Sequence, residues 1–107
     1  MANTFKNSLA RNVGTSASTV YSAPSAKNSI LIELDVCNTT NSGVQCSAYI
    51  TSGGADYYIV KNAPVPVGGS LQVVAGQKIV LSNTDAIKVL SSTASSLDVI
   101  ASVLEDV

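Results

Sequence analysis

The chain has no histidine and no tryptophan, only two cysteines and one phenylalanine, and just 12% charged residues. Without histidine, Ser–His and Cys–His nucleophile pairs and most zinc sites are excluded. Two cysteines, Cys37 and Cys46, are too few for a disulfide-rich secreted scaffold. A net charge of −1 supplies no basic field to hold a phosphate backbone, which argues against nucleic acid as a partner. A membrane surface is equally poorly served. No apolar run approaches the ~20 residues that span a bilayer, and the opening "MANTFKNSLARN" lacks the apolar core of a signal peptide. These absences lead to the expectation of a soluble chain, made in the cytoplasm, with no cofactor.

What is present is apolar and small. Residues of the apolar class make up 46% of the chain, mostly Val, Ile, Leu and Ala, set among many Ser and Thr. That mixture favours short strands over helices, and 107 residues suffice for one domain with a single modest core. Apolar residues recur with period two, broken at intervals by Gly or small polar clusters, as in a sandwich or barrel. Strands are expected at "TFKNSLARNV", "STVYSA", "SILIELDVC", "VQCSAYIT", "DYYIVKN", "SLQVVA", "QKIVLS", "AIKVLSS" and "LDVIASVLE". The fold class is therefore all-β, an antiparallel sandwich of about eight or nine short strands, jelly-roll-like or Ig-like, in one domain over residues 1–107.

In "SILIELDVC" the even positions Ile30, Ile32, Leu34 and Val36 are expected to face the core, with Leu31, Glu33, Asp35 and Cys37 outward. "NTTNSG" then reads as a turn into "VQCSAYIT", making a hairpin. In such a hairpin, matching the two apolar faces sets Val36 opposite Cys46 or Ala48 and keeps Cys37 and Cys46 on opposite faces. Cys46 is thus expected in the core and Cys37 outward, both reduced, unless a bulge flips the parity. "LDVIASVLE" is apolar on both faces, so it is either a central strand or one covered by a neighbouring chain. A helix after a Ser96 cap, with Leu97, Ile100, Ala101 and Leu104 on one side, is the competing reading.

Candidate chemistry is thin. Glu33 and Asp35 share a strand face at a spacing that could bind Ca²⁺ or form an acid/base pair, against the plainer reading of a solvated outer face. Asp56, Asp85 and Asp98 stand at strand starts, where carboxylates accept turn N–H bonds. Tyr21, Tyr49, Tyr57 and Tyr58 offer either a stacking platform for sugar or bases, or core-edge packing. Asn38 opens an Asn-Thr-Thr glycosylation triplet that has no meaning without secretion. The Gly pairs in "SGGAD" and "VGGS" read as turns. "APVP" reads as a corner between strands, with Pro64 and Pro66 off the ladder and Gly68-Gly69 reversing the chain. Neutral hydroxyls and sparse charge suit a surface that docks on other protein, and weakly guarded strand edges invite pairing with another chain.

The opening "MANTFKN", then "VGTSASTVYSAPSAKNSILIEL", "YYIVKNAPVPVGGSLQVV", "KIVLSNTDAIKVLSS" and "SSLDVIASVLE" together resemble a family of small virion proteins of tailed bacteriophages, common among marine and cyanobacterial phages. The likeness covers most of the chain. It implies a β-sandwich building block that decorates or cements the head shell, or serves at the neck, tail or fibres, with no catalytic residues to carry over. One departure is that relatives often carry "aGD" before the "I-x-V" strand, whereas this chain has "SNTDAIKV", which keeps Asp85 and loses the glycine turn. The cysteine segment has no place in the family pattern. The expectation is a homo-oligomeric, non-enzymatic virion protein that binds the major capsid protein and its own copies. Its contacts are expected at Asn3, Thr4, Phe5, Lys6, Leu104 and Val107, with residues 1–8 as a docking arm whose deletion abolishes assembly and leaves the fold intact. The rival from another class is a carbohydrate-binding module using a Tyr with Glu33 or Asp35, with sugar binding lost in Tyr49→Ala.

Overall fold

The computed structural model describes residues 4–105, apart from the side chains of residues 76 and 77. Eight strands form there: β1 Thr4–Val13, β2 Ser18–Ser22, β3 Ser29–Asn38, β4 Val44–Ser52, β5 Ala55–Val65, β6 Ser70–Leu81, β7 Ala86–Ser91 and β8 Leu97–Glu105. Each sits where β-branched and alternating residues place it. "SLQVVA" and "QKIVLS", expected as two strands, are the two halves of β6, joined through an irregularity where the partners jump from Ala75 to Ile79.

Pairing runs first to last: β1 with β8, β2 with β7, β3 with β6 and β4 with β5, all antiparallel. Two further ladders, β3–β8 and β4–β7, complete the sheets β1-β8-β3-β6 and β2-β7-β4-β5. This is one long hairpin rolled upon itself, the eight-strand jelly-roll arrangement, with β4–β5 as its tip. The tip is a two-residue turn, Gly53-Gly54, with both φ angles positive and Ser52 opposite Ala55, as a type I′ turn requires.

The expected β3–β4 hairpin does not form. β3 and β4 belong to different sheets, and "NTTNSG" carries the chain across the sandwich. Cys46 is nevertheless fully buried and Cys37 exposed, both free thiols, because each strand's own alternation fixes its inward face whatever its neighbour. Burial pushes the Cys46 thiol up to about 11. The inward face of β3 also differs from expectation. Leu31, Leu34 and Val36 are fully buried, while Ile30 faces outward, because the register shifts between Leu31 and Glu33 on both neighbours of β3. One extra residue reverses the alternation on its N-terminal side.

β8 is a strand, central between β1 and β3, with Val99, Ala101 and Val103 packed inward. Ser96 caps no helix; it is buried in the loop before β8, where its hydroxyl donates to the Thr93 carbonyl at 2.8 Å. Across the sandwich these side chains meet Cys46, Ala48, Ile87 and Val89 in one core. Each buried Leu, Ile or Val contributes ~1.5–3 kcal/mol relative to exposure, so this shared interior holds the two sheets together.

The proline corner is half as expected. Pro66 lies outside both strands, and the Gly69 N–H donates to the Pro66 carbonyl at 3.0 Å, closing a turn with Gly68 at φ 66°. Pro64 instead stands within β5, opposite Gln45. It is tolerated there because β5 is an edge strand, where one side of the backbone has no ladder to satisfy.

Candidate assembly surface

In a ladder, directly opposed residues share a face, so the registers define cross-strand rows. On the outer side of the β1-β8-β3-β6 sheet, Phe5, Leu104, Ile30 and Val80 form one row across all four strands. Asn7, Ser102, Glu33 and Ala75 form the next, and Leu9, Ile100, Asp35 and Gln72 the one after. Phe5 is 76% exposed, Leu9 68%, Val80 64% and Ile100 51%. Single exposed apolar side chains are ordinary, but four on one sheet face, two of them in an unbroken apolar row, are a surface feature.

Ile100 separates two shallow depressions on this face. One, about 310 Å³, is bounded by Leu9, Arg11 and Asp98; the other, about 220 Å³, by Asp35, Cys37 and Gln72. Asp35 is half-buried, and its Oδ1 is enclosed without a hydrogen-bond partner among the described residues. Burial first, then a hydrogen bond with Glu33 and the Glu33 charge, raise its pKa from 3.8 to about 6. The expectation of a simply solvated Glu33/Asp35 face is therefore corrected. Both carboxyls face out, but one is partly desolvated. Among the described residues no cluster of three or more His, Cys, Asp or Glu side chains could hold a metal ion.

Of the expected contact residues, Thr4, Phe5 and Lys6 are exposed on β1 and are brought beside Glu105, Leu104 and Val103 of β8. Asn3 and Val107 lie outside the described residues. From Thr4 onward the docking-arm segment is a paired edge strand, so deletion of residues 1–8 also strips β8 of a neighbour. A polar cluster fixes this end of the sandwich. Lys6 Nζ lies 3.2 Å from Glu105 Oε1, the Tyr21 hydroxyl donates to Glu105 Oε2, and Tyr21 and Ser29 hydroxyls share a 2.8 Å bond. The Tyr21 bond, opposed by burial and aided by Lys6, lowers the Glu105 pKa; burial and Glu105 push Tyr21 up to about 12. Tyr21 on β2 thereby ties one sheet to the other.

The remaining candidates are dispersed. Tyr49 packs on Tyr58 with ring centroids 4.9 Å apart, and Lys61 Nζ stands 5.1 Å from the Tyr58 ring centre. Tyr57, opposite Ile50, is on the other face of β5. Tyr49 lies opposite Lys88 on the outer side of the second sheet, whereas Glu33 and Asp35 are on the outer side of the first. No single carbohydrate site joins them. Asp85 accepts the Ser82 N–H at 2.9 Å as a turn carboxylate. Asp98 instead accepts the Asn12 N–H, at the irregularity of β1, and Asp56 accepts the Thr51 hydroxyl across the β4–β5 ladder. Asn38 is not a modification site: it is 2% exposed, and its Nδ2 donates to the Ser42 and Val65 carbonyls. The outer row of Phe5, Leu104, Ile30 and Val80 was invisible in sequence, because Ile30 carries the core-facing parity until the irregularity at Ile32 reverses it.

In sequence, the chain matches no family model and no curated protein. In structure, it is similar to a chain of the Bacillus endospore appendages, a family of disulfide-linked pili, with TM-score 0.59 and 14% identity over 97% of this chain and 87% of that one. It is also similar to part of a chain from infectious bursal disease virus, Gx strain, with TM-score 0.54 and 12% identity. There it covers 97% of this chain and spans 31% of the viral one. At such identities the likeness shows the fold: a jelly-roll sandwich of a kind found in an assembled pilus and in a virus particle.

Proposed function

We propose that the chain is a non-enzymatic structural subunit of a bacteriophage particle, a head decoration or cement protein that binds its own copies and the major capsid protein. The carrying observation is the outer apolar row of Phe5, Leu104, Ile30 and Val80, exposed at Phe5 and Val80 and half-buried at Leu104 and Ile30, on a sheet whose other face packs the jelly-roll core. A surface of this kind loses free energy when covered and needs no reacting group. Asn3, Thr4, Phe5, Lys6, Leu104 and Val107 are the proposed contacts, four of them grouped at one end of the β1–β8 ladder. The location would be the virion, with no nucleic acid or membrane partner. The resemblance to small phage virion proteins supports a particle subunit, at the head or at the neck, tail or fibres alike. A second reading, a neck, tail or fibre module, is favoured by the near end-to-end match with a pilus subunit. Quantitative mass spectrometry of purified particles tests both. Hundreds of copies per particle support cement, a few tens a neck or fibre, and absence from particles contradicts both.

A further inference from the structure

The outer face of the β1-β8-β3-β6 sheet carries one apolar row across all four strands with exposed Leu9 and Ile100 nearby, and the intramolecular fold leaves it uncovered. We propose that this face packs against the same face of a second copy, about a two-fold axis that runs along the strands between β8 and β3. The inference rests on the self-association named above, and not on where in a particle the chain sits.

The registers make the face complementary to itself in that orientation. Such an axis lays β1 over β6 of the second copy and β8 over β3, while each cross-strand row keeps its own height. Phe5 then meets Val80, and Leu104 meets Ile30, so the apolar row covers its own image. Glu33 meets Ser102 and Asp35 meets Ile100, so no carboxylate is set against another. A two-fold perpendicular to the strands would lose this match, because it sends the apolar row to the far end of the sheet.

The size is adequate. Four strands ~4.8 Å apart, rising ~3.4 Å per residue over about eight residues, present on the order of 500 Å² in projection. Accessible area over the protruding Phe5, Leu9 and Val80 is larger, approaching the ~800 Å² per partner of a standard specific interface. Two sheets packed face to face also reproduce the aligned geometry of the sandwich interior.

Edge-to-edge pairing is the competing mode, and the edges are interrupted. All four edge strands carry an irregularity: β1 at Asn12, β5 at Asn62 and β6 at Lys78, each with positive φ, and β2 between Thr19 and Tyr21. Such bulges break the regular ladder that strand addition needs. The regular stretch of β1 from Thr4 to Ala10 is the longest edge that remains.

The face also carries its own pH dependence. Asp35 faces Glu33 and Cys37 on β3, Ile100 and Asp98 on β8, and Gln72 and Ser70 on β6, with Arg11 beyond Asp98 on β1. Covering Asp35 with Ile100 of a second copy disfavours its charged form further, so association takes up protons, tightens as pH falls towards about 6 and levels off below it.

Analytical ultracentrifugation of the full chain, from about 10 µM to about 1 mM, tests this directly. The expected result is a dimer that Val80→Glu and Ile100→Glu each weaken by ~100-fold or more, since each buries an unpaired charge, while Tyr58→Lys on β5 of the other sheet leaves it unchanged. In the same samples, alkylation of Cys37, which lies on the face, should slow as the dimer fills. Circular dichroism and thermal melts confirm that the variants fold. A monomer throughout that range overturns the inference, as does a dimer indifferent to both charge substitutions. A dimer abolished by Ser8→Pro but not by Val80→Glu assigns the contact to the β1 edge and also overturns it. If the isolated chain is monomeric yet abundant in particles, this inference fails alone and the proposed function stands.

Discussion

Asn38 uses both ends of its amide on the segment between β3 and β4. Nδ2 donates to the Ser42 and Val65 carbonyls, at 2.8 and 3.1 Å, and Oδ1 accepts from the Thr40 N–H and hydroxyl. Truncation would leave buried backbone groups unpaired, so Asn38→Ala should cost ~1–3 kcal/mol in urea unfolding. Asp35 acts with the opposite sign. Its folded pKa, about 6 against an ordinary 3.8, means the folded chain holds a proton that the unfolded chain has released between those values. The ionised form therefore destabilises the fold above about pH 6, and that penalty is gone below about pH 4. Asp35→Asn should raise the melting temperature at pH 8 and leave it unchanged at pH 4. Glu105, whose pKa is lowered, contributes stability at neutral pH that is lost as the medium becomes acidic enough to protonate it. At this scale the sequence was partly readable. Alternation alone buried Cys46 and exposed Cys37, but the role of Asn38 depends on Val65, 27 residues away, which no local pattern marks.

At the scale of elements, strands were legible and their irregularities were not. Period-two patterning and β-branched residues place every strand but β6, which was expected as two, within a few residues of its observed bounds. The extra residue near Ile32 has no such mark, since Ile and Leu occur on both sides of it, and it moved Ile30 from the expected core to the outer row. Glycine pairs were readable because their chemistry is local. Gly54 has φ 83°, open to glycine and costly for a β-branched side chain, and nothing crowds the position where a Cβ would stand. Gly54→Val should therefore destabilise by ~1–2 kcal/mol through backbone strain alone, read by thermal denaturation. The two-sided apolar character of β8 left a central strand and a covered one as alternatives. Its place between β1 and β3 gives the first, and the half-exposed Ile100 leaves room for the second.

For the whole molecule, sandwich class was legible and topology was not. The pairing of β1 with β8 and β3 with β6 joins residues far apart in the chain, and several registers satisfy the same alternation until all strands are placed together. The expected β3–β4 hairpin failed for that reason: a turn-rich segment does not say whether the chain reverses within a sheet or crosses to the other. Rolling the chain also assembled the candidate surface, since Phe5, Ile30, Val80 and Leu104 come from four separate strands. The central claim is that this surface belongs to a particle subunit. Copy number in purified particles, measured against the major capsid protein, tests it most directly. We expect a fixed ratio with hundreds of copies per particle; a chain found only in the soluble fraction of infected cells, and never in particles, would contradict the account.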